Sequence, residues 1–271
     1  MNQNYLKKKS KELRKKLFEK FYLLQEGHPG SVFSILDFLT VLYYCNFVKI
    51  LKKNKKKIPV DDVIMSKGHA TVGQYPILYD LEVIKKNDWL NWGKNQNTCL
   101  RMFGNSSIPG IKVATGSLGH GIGYATGIAY ASKRDKINKN IYVIISEGEL
   151  YEGSTWEALL LLAKLKLDNV YIILDINNNI ILGDPRKCLT LGNIKKKIES
   201  FDIVVKTSNG HNFNEMNTNL KLLKKIKKPK CLILNTIKGK GLKIMENKAQ
   251  WHYWNKIKAH EYEECIRKLT G

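Results

Sequence analysis

Paired cysteines, arginine and long apolar runs are all scarce in this chain of 271 residues. The cysteine count is odd and no C-x-x-C pair occurs, which argues against a disulfide framework or a cysteine-based zinc site. We expect the cysteines to be free and reduced, and mostly to pack in the interior. They are Cys45, Cys99, Cys188, Cys231 and Cys265.

No stretch of the sequence is apolar enough to cross a membrane. The longest uninterrupted apolar run is Ala158 to Ala163, far below the ~20 residues that a membrane helix needs. The N-terminus is rich in lysine and lacks the apolar core of a secretory signal. We therefore expect a soluble, cytoplasmic protein with no membrane partner, in which 43% hydrophobic residues suffice for a packed core.

Basic charge is abundant but unevenly distributed, with a formal net charge of +22. Residues 1–60 hold 14 Lys and Arg against 4 acids, residues 221–258 hold 12 against 1, and residues 61–220 are close to neutral. Only five of the 46 basic residues are arginine, the residue best suited to bidentate contact with bases and phosphates. We interpret the lysines as solvated faces and expect no nucleic-acid partner, keeping a basic nucleic-acid-binding module as a less favoured alternative.

Apolar spacing predicts helices that alternate with buried strands. A helix over residues 5–24 should end at the glycine-containing loop 27–30, and Ser31 is expected to cap a second helix that runs to Cys45. The lysine-rich stretch 49–57 is interpreted as a surface connection. Further helices are predicted up to about Lys133 and over Thr155 to Lys166, and strands at 141–145, 170–174, 203–205 and 231–234.

Strands separated by helices predict an α/β fold, a doubly wound parallel sheet with helices on both faces, formed as one domain over residues 1–271. Ligands of such sheets bind outside the carboxyl ends of the strands. Glu147 and Asn177 each follow a predicted strand, and their oxygens suit Mg²⁺ or Ca²⁺ with phosphate oxygens as further ligands. Taken alone, the pair also fits residues that merely cap loops.

Five polar or glycine-containing loops occur in a recognisable order along the chain. They are Gly27-His28-Pro29-Gly30, Ser66-Lys67-Gly68-His69-Ala70, Thr115-Gly116-Ser117-Leu118-Gly119, Gly148-Glu149-Leu150-Tyr151-Glu152-Gly153 and Leu167-Asp168-Asn169. Together they resemble the thiamine-diphosphate-binding half of transketolases, and the segment from Gly239 to His252 is similar to the closing loop of that half. The resemblance covers roughly residues 10–255.

The resemblance implies an enzyme that uses thiamine diphosphate to move a two-carbon ketol unit from a ketose phosphate to an aldose. Glu147, Asn177 and the main-chain carbonyl of Asn179 match the positions that hold the divalent metal, for which Mg²⁺ is expected and Ca²⁺ or Mn²⁺ are possible. His69 and His252 match histidines near the diphosphate and the reacting carbonyl. His28 matches a histidine that lines the path of the donor.

The same resemblance assigns the remaining site residues. Gly148 lets the chain approach the diphosphate, and the loop that includes Gly116, Ser117 and Leu118 meets the aminopyrimidine ring. Glu152 and Glu157 match carboxylates of a relay between two cofactors across a subunit interface. Glu149 belongs to the same loop and is counted with the cofactor-binding residues, although its carboxylate alone has the pattern of an ordinary one.

Three positions depart from the family pattern. Ser146-Glu147-Gly148 stands where relatives usually have Gly-Asp-Gly, so the metal-binding side chain is one methylene longer. Asn105 replaces a substrate-facing histidine and cannot carry a proton at neutral pH. His120 stands where many relatives have glutamine, while His211 has no motif and is interpreted as closing a turn.

The resemblance also implies a partner, because a one-chain transketolase continues for several hundred residues beyond this half. The pyrimidine-binding and C-terminal domains are expected on a separate chain, in an α2β2 assembly that handles sugar phosphates. Two alternatives stay open. One is a transketolase-like enzyme of a specialised sugar pathway, and the other is a non-catalytic paralogue that retains only partner binding.

Overall fold

A five-stranded parallel sheet lies at the centre of the computed structural model, which describes residues 2–53, 56–92, 94 and 100–271. Its strands follow the order β3-β4-β5-β7-β6, and a separate antiparallel hairpin pairs β1 with β2. The bounds are β1 Ile50–Lys53, β2 Lys56–Pro59, β3 Asp62–Met65, β4 Ile141–Ser146, β5 Val170–Ile176, β6 Val204–Asn209 and β7 Lys230–Asn235.

Helices cover both faces of the sheet. The helices of the described residues are α1 Gln3–Leu24, α2 Pro29–Tyr44, α3 Tyr75–Asp80, α4 Lys86–Asn91, α5 Gly121–Arg134, α6 Gly153–Lys164, α7 Pro185–Cys188, α8 Ile194–Glu199, α9 Phe213–Lys224 and α10 Ala259–Thr270. Short 3₁₀ segments span Gly68–Gln74, Glu147–Tyr151 and Ala249–His252.

The central strands are buried on both sides, which explains their uninterrupted apolar sequences. Along β4, Tyr142 and Ile144 belong to a core shared with α1, α2 and α9, whereas Ile141, Val143 and Ile145 belong to a second core with α5, α6 and α8. Side chains alternate across a strand, so one run of apolar residues serves both cores. The predicted doubly wound α/β fold is confirmed.

The predicted elements are confirmed except at two places. The second helix begins at Pro29 with His28 at its N-cap, so the cap predicted at Ser31 is wrong; proline at the first helical position presets the backbone angle instead. The stretch predicted as a surface connection forms the β1–β2 hairpin over its described residues. Strand β3 and helices α3, α4 and α7 to α10 are not among the predicted elements. For β3 the reason is that four residues beginning with aspartate give too short a pattern.

The lengths of the helices and the state of the cysteines can be given for the described residues. Within the described ranges, no helix combines the length and apolar character needed to cross a bilayer. Cys45, Cys188, Cys231 and Cys265 are free thiols, as predicted, whereas Cys99 lies outside the described residues. Cys231 and Cys265 are buried, but Cys188 is exposed and does not serve the core.

A buried ion pair joins the loop after β3 to the end of β5. Lys67 Nζ lies 2.5 Å from Asp175 Oδ2, and the two side chains are 1% and 0% exposed. Ser34 of α2 donates to the same carboxylate at 2.6 Å, and Thr236 after β7 donates to its other oxygen. Burial acts to raise the pKa of Asp175, but the Lys67 charge and these donors together lower it.

We predict that Lys67→Met lowers the free energy of unfolding by about 3 kcal/mol, because it leaves the Asp175 carboxylate buried without its counter-ion. Urea unfolding followed by circular dichroism measures the change. Lys195→Met is the matched control, since Lys195 pairs with Glu199 at 3.6 Å on the exposed side of α8. Equal stability of the two variants would contradict the assignment of Lys67 as the counter-ion.

Candidate active site

A cavity of about 670 Å³ lies at the carboxyl ends of the parallel strands. The loops after β3, β4, β5 and β7 form its floor, and the turn between α1 and α2 forms one wall. Residues of several separate motifs and strand ends meet in this one place, as the parallel topology requires. Of the residues predicted for the site, it brings together His28, His69, Gly116, Leu118, Glu147, Gly148, Glu152, Asn177, Asn179 and His252.

Three histidines from distant parts of the chain form a cluster in this cavity. The ring centroid of His28 lies 5.2 Å from that of His69 and 5.5 Å from that of His252, and the last two rings are 5.6 Å apart. The Nδ1 atom of His28 is buried and has no hydrogen-bond partner among the described residues. An unsatisfied buried polar atom at a cavity wall fits a ligand contact.

The histidine cluster is held uncharged at neutral pH. Burial, followed by the charge of Lys238, lowers the pKa of His28 to about 4, and the same two causes lower the pKa of His252 to about 4. Burial and the charge of Lys67 lower the pKa of His69 well below its usual value. Neutral imidazoles can both donate and accept hydrogen bonds, which suits contact with phosphate and hydroxyl oxygens.

Lys238 connects the histidine cluster to the loop after β5. Its ammonium donates to the carbonyl of Asn179 at 2.9 Å and lies 3.1 Å from Nδ1 of His252. When it donates to Nδ1, the ring hydrogen of His252 must be on Nε2. Burial and the neighbouring Lys67 lower the pKa of Lys238 to about 8, so the group is mostly charged at pH 7 and would gain from an anion.

Oxygen donors from two neighbouring strand ends supply a candidate cation site. Glu147 Oε2 accepts the N–H of Asn178 at 3.0 Å, and Asn177 Oδ1 accepts the N–H of Asn179 at 3.1 Å. The side-chain oxygen of Asn179 is buried and has no partner in the part of the chain that the structure describes. The described residues contain no group of three or more His, Cys, Asp or Glu placed to hold a metal. One carboxylate with amide and carbonyl oxygens is a donor set that suits Mg²⁺, Ca²⁺ or Mn²⁺ when phosphate oxygens and water complete the shell.

Burial raises the pKa of Glu147, whose side chain is almost fully buried, and the hydrogen bond from the Asn178 N–H opposes the shift only in part. The nearby acidic residues Asp175 and Asp184 act in the same direction as burial. A divalent cation would relieve both effects, because it stabilises the ionised carboxylate. The local electrostatics therefore fit a metal at this position.

Gly148 has no packing reason to be glycine. A Cβ atom built there would meet only Ile180 Cγ2 at 3.7 Å and Ser146 Oγ at 3.9 Å, which are ordinary contacts. Gly148 lines the cavity, and its backbone angles are not among those that require glycine. The missing side chain instead leaves room for a group in the cavity to approach the backbone.

Three predicted site residues do not line the cavity. Glu149 is fully buried and binds Ser66 Oγ, the Ser146 N–H at 2.8 Å and the Gly119 N–H at 3.1 Å, so its carboxylate joins two loops and is not available to a cofactor. The prediction of Glu149 as a cofactor contact is therefore wrong for its side chain. Ser117 and Glu157 are exposed outside the cavity.

Residues noted as departures also have defined surroundings. Asn105 Oδ1 accepts the N–H and the hydroxyl of Ser107, at 3.0 and 2.9 Å, and does not line the cavity. His120 is exposed with Nδ1 3.1 Å from the Leu118 carbonyl. His211 does more than close a turn, since it donates from Nδ1 to Asp37 at 2.7 Å and accepts the Ile237 N–H at 2.9 Å on Nε2.

Sequence reasoning missed several residues of the cavity. Lys67 belongs to the Ser66–Ala70 motif and Lys238 immediately precedes the segment from Gly239 to His252, but the sequence assigned neither lysine a role. A lysine within three residues of the end of a buried strand, as Lys238 is after β7, was a usable signal. Nothing in the sequence pointed to the apolar and aromatic walls. They are Phe103, Tyr151, Ile180, Ile181, Leu182, Cys188, Leu189 and Tyr253.

We predict that the free energy of unfolding of the ligand-free chain falls as pH decreases from about 6.5 to about 4. His28 and His252 have a pKa of about 4 in the folded chain and near 6.5 when unfolded, so the unfolded chain takes up protons first. His28→Asn should flatten the slope by about one proton. Urea unfolding across this pH range measures it, with the exposed His260→Asn as control. Superimposable curves for His28→Asn and the unmodified chain would show that His28 is not held neutral.

Comparison with known proteins agrees with this geometry. The family model described as the thiamine diphosphate binding domain of transketolase matches residues 9–269. The chain is 34% identical to one of the named subunits of the apulose-4-phosphate transketolase of Phocaeicola vulgatus over 269 residues, which cover 98% of this chain and 94% of the relative. It is 32% identical to a 6-deoxy-6-sulfo-D-fructose transketolase subunit of a Clostridium species, over 89% of this chain and 87% of the relative.

Among solved structures, transketolase from Campylobacter jejuni is similar, with a TM-score of 0.86 and 31% sequence identity. The match covers 99% of this chain but 42% of that transketolase chain. Human transketolase is 32% identical over 83% of this chain and 36% of its own length. The chain therefore belongs to the transketolase family and corresponds to its thiamine-diphosphate-binding domain.

Proposed function

We propose that this chain is the diphosphate- and metal-binding subunit of a two-chain transketolase that transfers a two-carbon ketol unit from a ketose phosphate to an aldose. The observation that carries the proposal is the meeting of three neutral histidines, a charged lysine and a set of hard oxygen donors in one cavity. Similarity to named subunits of transketolases for specialised sugars supports a specialised acceptor or donor.

The inner end of the cavity suits the diphosphate of thiamine diphosphate. Lys238, His69 and His252 surround it with hydrogen-bond donors, and Gly148 leaves the backbone accessible. Glu147, Asn177 and the carbonyl of Asn179 would hold Mg²⁺, for which Ca²⁺ or Mn²⁺ can substitute. The Asn179 carbonyl has a second lone pair beside the one that accepts from Lys238.

When bound, the cofactor would supply the electron sink for cleavage of the carbon–carbon bond next to the donor carbonyl. The chain's own residues orient the reacting groups. His28, His69 and His252 are spaced so that hydroxyl and carbonyl oxygens of a sugar can reach more than one imidazole, each able to hold or pass a proton. Gly116 and Leu118 form the wall proposed to face the aminopyrimidine ring, with Ser117 between them on the outside.

An exposed apolar surface beside the cavity supports the need for a second subunit. Tyr124 and Tyr130 of α5 are 55% and 48% exposed, and Leu160 and Leu161 of α6 are 60% and 51% exposed. We call these four residues the α5–α6 patch. Because α5 packs against α6, these side chains lie on adjacent helices, and large apolar side chains exposed in this way are typical of a protein contact.

The α5–α6 patch continues from the rim of the cavity. Glu152 lines the cavity at the start of α6, and Glu157 lies on the exposed side of the same helix, between Glu152 and Leu160. No neighbouring atom of the described residues would meet a Cβ at Gly123 or Gly127 of α5, so another chain can approach this helix closely. We propose that the pyrimidine-binding subunit covers the patch, with Glu152 and Glu157 at the interface of an α2β2 assembly.

The basic charge of the chain lies away from the proposed chemistry. Lys67 and Lys238 are the cations that line the described cavity, and both are hydrogen-bonded at its floor. The proposed partners are therefore sugar phosphates, the cofactor and a second subunit, whereas nucleic acid is not among them. The free thiols of the described residues suit the reducing cytoplasm, where we place the enzyme.

We predict that thiamine diphosphate with Mg²⁺ binds tightly to this chain mixed with the product of the adjacent gene, and weakly or not at all to the chain alone. Isothermal titration calorimetry measures both. Glu147→Ala and Asn177→Ala should weaken binding at least tenfold, because each removes a metal ligand, and Gly148→Ala should do so by blocking the approach to its backbone. The exposed Glu199→Ala serves as control.

The same titration separates the alternatives. Binding that the two metal-site variants leave unchanged would overturn the assigned site. Absence of binding in both samples would favour the non-catalytic paralogue. Full ketol transfer by the purified chain alone would show that the two-chain proposal is wrong.

We predict that Leu160→Glu weakens at least tenfold the assembly with the pyrimidine-binding subunit, since it would bury an unpaired carboxylate in an apolar contact. Multi-angle light scattering of the chain alone and of the mixture reports both self-association and assembly. Leu222→Glu is the matched control, because Leu222 is 43% exposed on α9, away from the α5–α6 patch. Normal assembly of the Leu160→Glu variant would show that the α5–α6 patch is not part of the interface.

A further inference from the structure

Two exposed aromatic rings flank His28 on the cavity wall. The ring centroid of Tyr253 lies 4.8 Å from that of His28, and the centroid of Phe103 lies 5.9 Å from it. Both side chains line the cavity, yet Phe103 is 43% exposed and Tyr253 is 55% exposed. Neither ring is therefore buried in the hydrophobic core. We call the two rings the aromatic platform.

The platform is linked to both ends of the reacting site. Tyr253 follows His252 and contacts its ring, with centroids 4.9 Å apart. On the other side, Phe103 Cδ1 lies 3.9 Å from the position of a Cβ built at Gly116, and the Phe103 carbonyl accepts the Thr115 N–H at 3.2 Å. Both rings therefore lie beside His28 in the cavity wall, between the His252 segment and the loop at Thr115 and Gly116.

The charges near the aromatic platform limit the kinds of ligand that can bind beside it. Lys67 and Lys238, the lysines that line the described cavity, are each 1% exposed and already hydrogen-bonded. His28 is neutral at pH 7, since burial and Lys238 lower its pKa to about 4. Beside the platform the cavity lining thus offers apolar ring faces and the neutral imidazoles of His28 and His252, while its two lysines lie at the floor.

Aromatic faces of this kind suit the C–H side of a carbohydrate. The face of a ring carries partial negative charge, and the C–H groups of a sugar are partly positive. Phenylalanine and tyrosine also lose little conformational entropy on binding, because each has only two side-chain torsions. We propose that Phe103 and Tyr253 stack on the carbon chain of the acceptor aldose and select acceptors long enough to reach both rings, leaving any terminal phosphate to the second subunit. The proposal rests on the proposed ketol transfer.

Kinetics of the assembled two-chain enzyme test the platform with two acceptors, glycolaldehyde and D-erythrose. A three-carbon donor, hydroxypyruvate, at saturation minimises any contact of the donor with the rings. Tyr253→Ala and Phe103→Ala should each raise the KM for D-erythrose about three- to tenfold, with kcat and the KM for glycolaldehyde changed less than about twofold. Tyr253→Phe should retain the unmodified KM, because the ring and not the hydroxyl makes the contact.

Tyr5→Ala is the matched control, since Tyr5 is 44% exposed on α1 and does not line the cavity. Equal effects on both acceptors, or no effect on either, would overturn the platform. If Tyr253→Phe behaves like Tyr253→Ala, the Tyr253 hydroxyl and not the ring makes the contact. That result would also overturn the platform.

A second measurement keeps the platform distinguishable from the proposed function. Saturation-transfer NMR of D-erythrose with the isolated chain should show transfer to the sugar C–H protons that Tyr253→Ala and Phe103→Ala reduce at least twofold. If the assembled enzyme binds thiamine diphosphate but these variants leave both readouts unchanged, the platform alone is wrong. If the unmodified assembly neither binds the cofactor nor transfers a ketol unit, the proposed function is wrong. In that case, saturation transfer that the two variants leave unchanged would show that the platform is wrong as well.

Discussion

The buried ion pair between Lys67 and Asp175 is the constraint on which the arrangement of the site depends. A carboxylate with no exposed surface needs its counter-ion and hydrogen-bond donors in fixed places. Lys67 comes from the loop after β3, while Ser34 of α2 and Thr236 after β7 donate to the same side chain. Lys67 also donates to the carbonyl of Ser31 at 2.9 Å. Four chain segments are thereby positioned around one point beneath the cavity, and the histidine cluster and Lys238 depend on those segments for their places.

The ion pair also decides which charge the cavity presents. Asp175 neutralises Lys67, so Lys67 acts mainly as a structural cation, although its charge still lowers the pKa of His69, His252 and Lys238. The site is consequently rich in donors but low in net charge before an anion enters. A diphosphate would stabilise the charged form of Lys238 and strengthen its hydrogen bonds, whereas a fully charged cluster of three histidines would repel itself in the absence of the ligand.

Sequence reasoning predicted most strands of the sheet. Burial on both faces produces continuous apolar runs, which can be recognised without knowing which strands pair with each other. Sequence reasoning failed at β3, because four residues are too few to distinguish a short strand from the start of a loop. It also failed at Ser31, because the backbone preference of Pro29 determines where the helix begins. The loop motifs identified most of the predicted residues that line the cavity, but they misplaced Glu149. Its position within a site loop says nothing about the direction of its side chain, which the hydrogen bonds to Ser66 and Gly119 determine.

Contacts that depend on distant segments were beyond the reach of a single sequence. His211 links Asp37, 174 positions earlier in the chain, to the backbone N–H of Ile237 through hydrogen bonds. Arg14 forms an ion pair with the Asp37 carboxylate, with Nη2 2.9 Å from Oδ1. Only the folded topology brings these residues together. The two rings of the aromatic platform are likewise 150 positions apart and belong to no motif. Their exposure beside the histidine cluster becomes visible only when both loops are in place.

Glu147, whose side chain is one methylene longer than the aspartate of the family pattern, connects two loops at the carboxyl end of the sheet. The chain enters a 3₁₀ segment at Glu147, directly after β4, and Oε2 accepts the N–H of Asn178 in the adjacent loop. Asn178 has a positive φ of 52°, a conformation that asparagine tolerates better than most residues. The Glu147 carboxylate thus contacts the loop after β5, which carries the other oxygen donors. Through this contact the loop after β4 holds the loop after β5, so the oxygen donors of Glu147, Asn177 and Asn179 keep their places relative to one another.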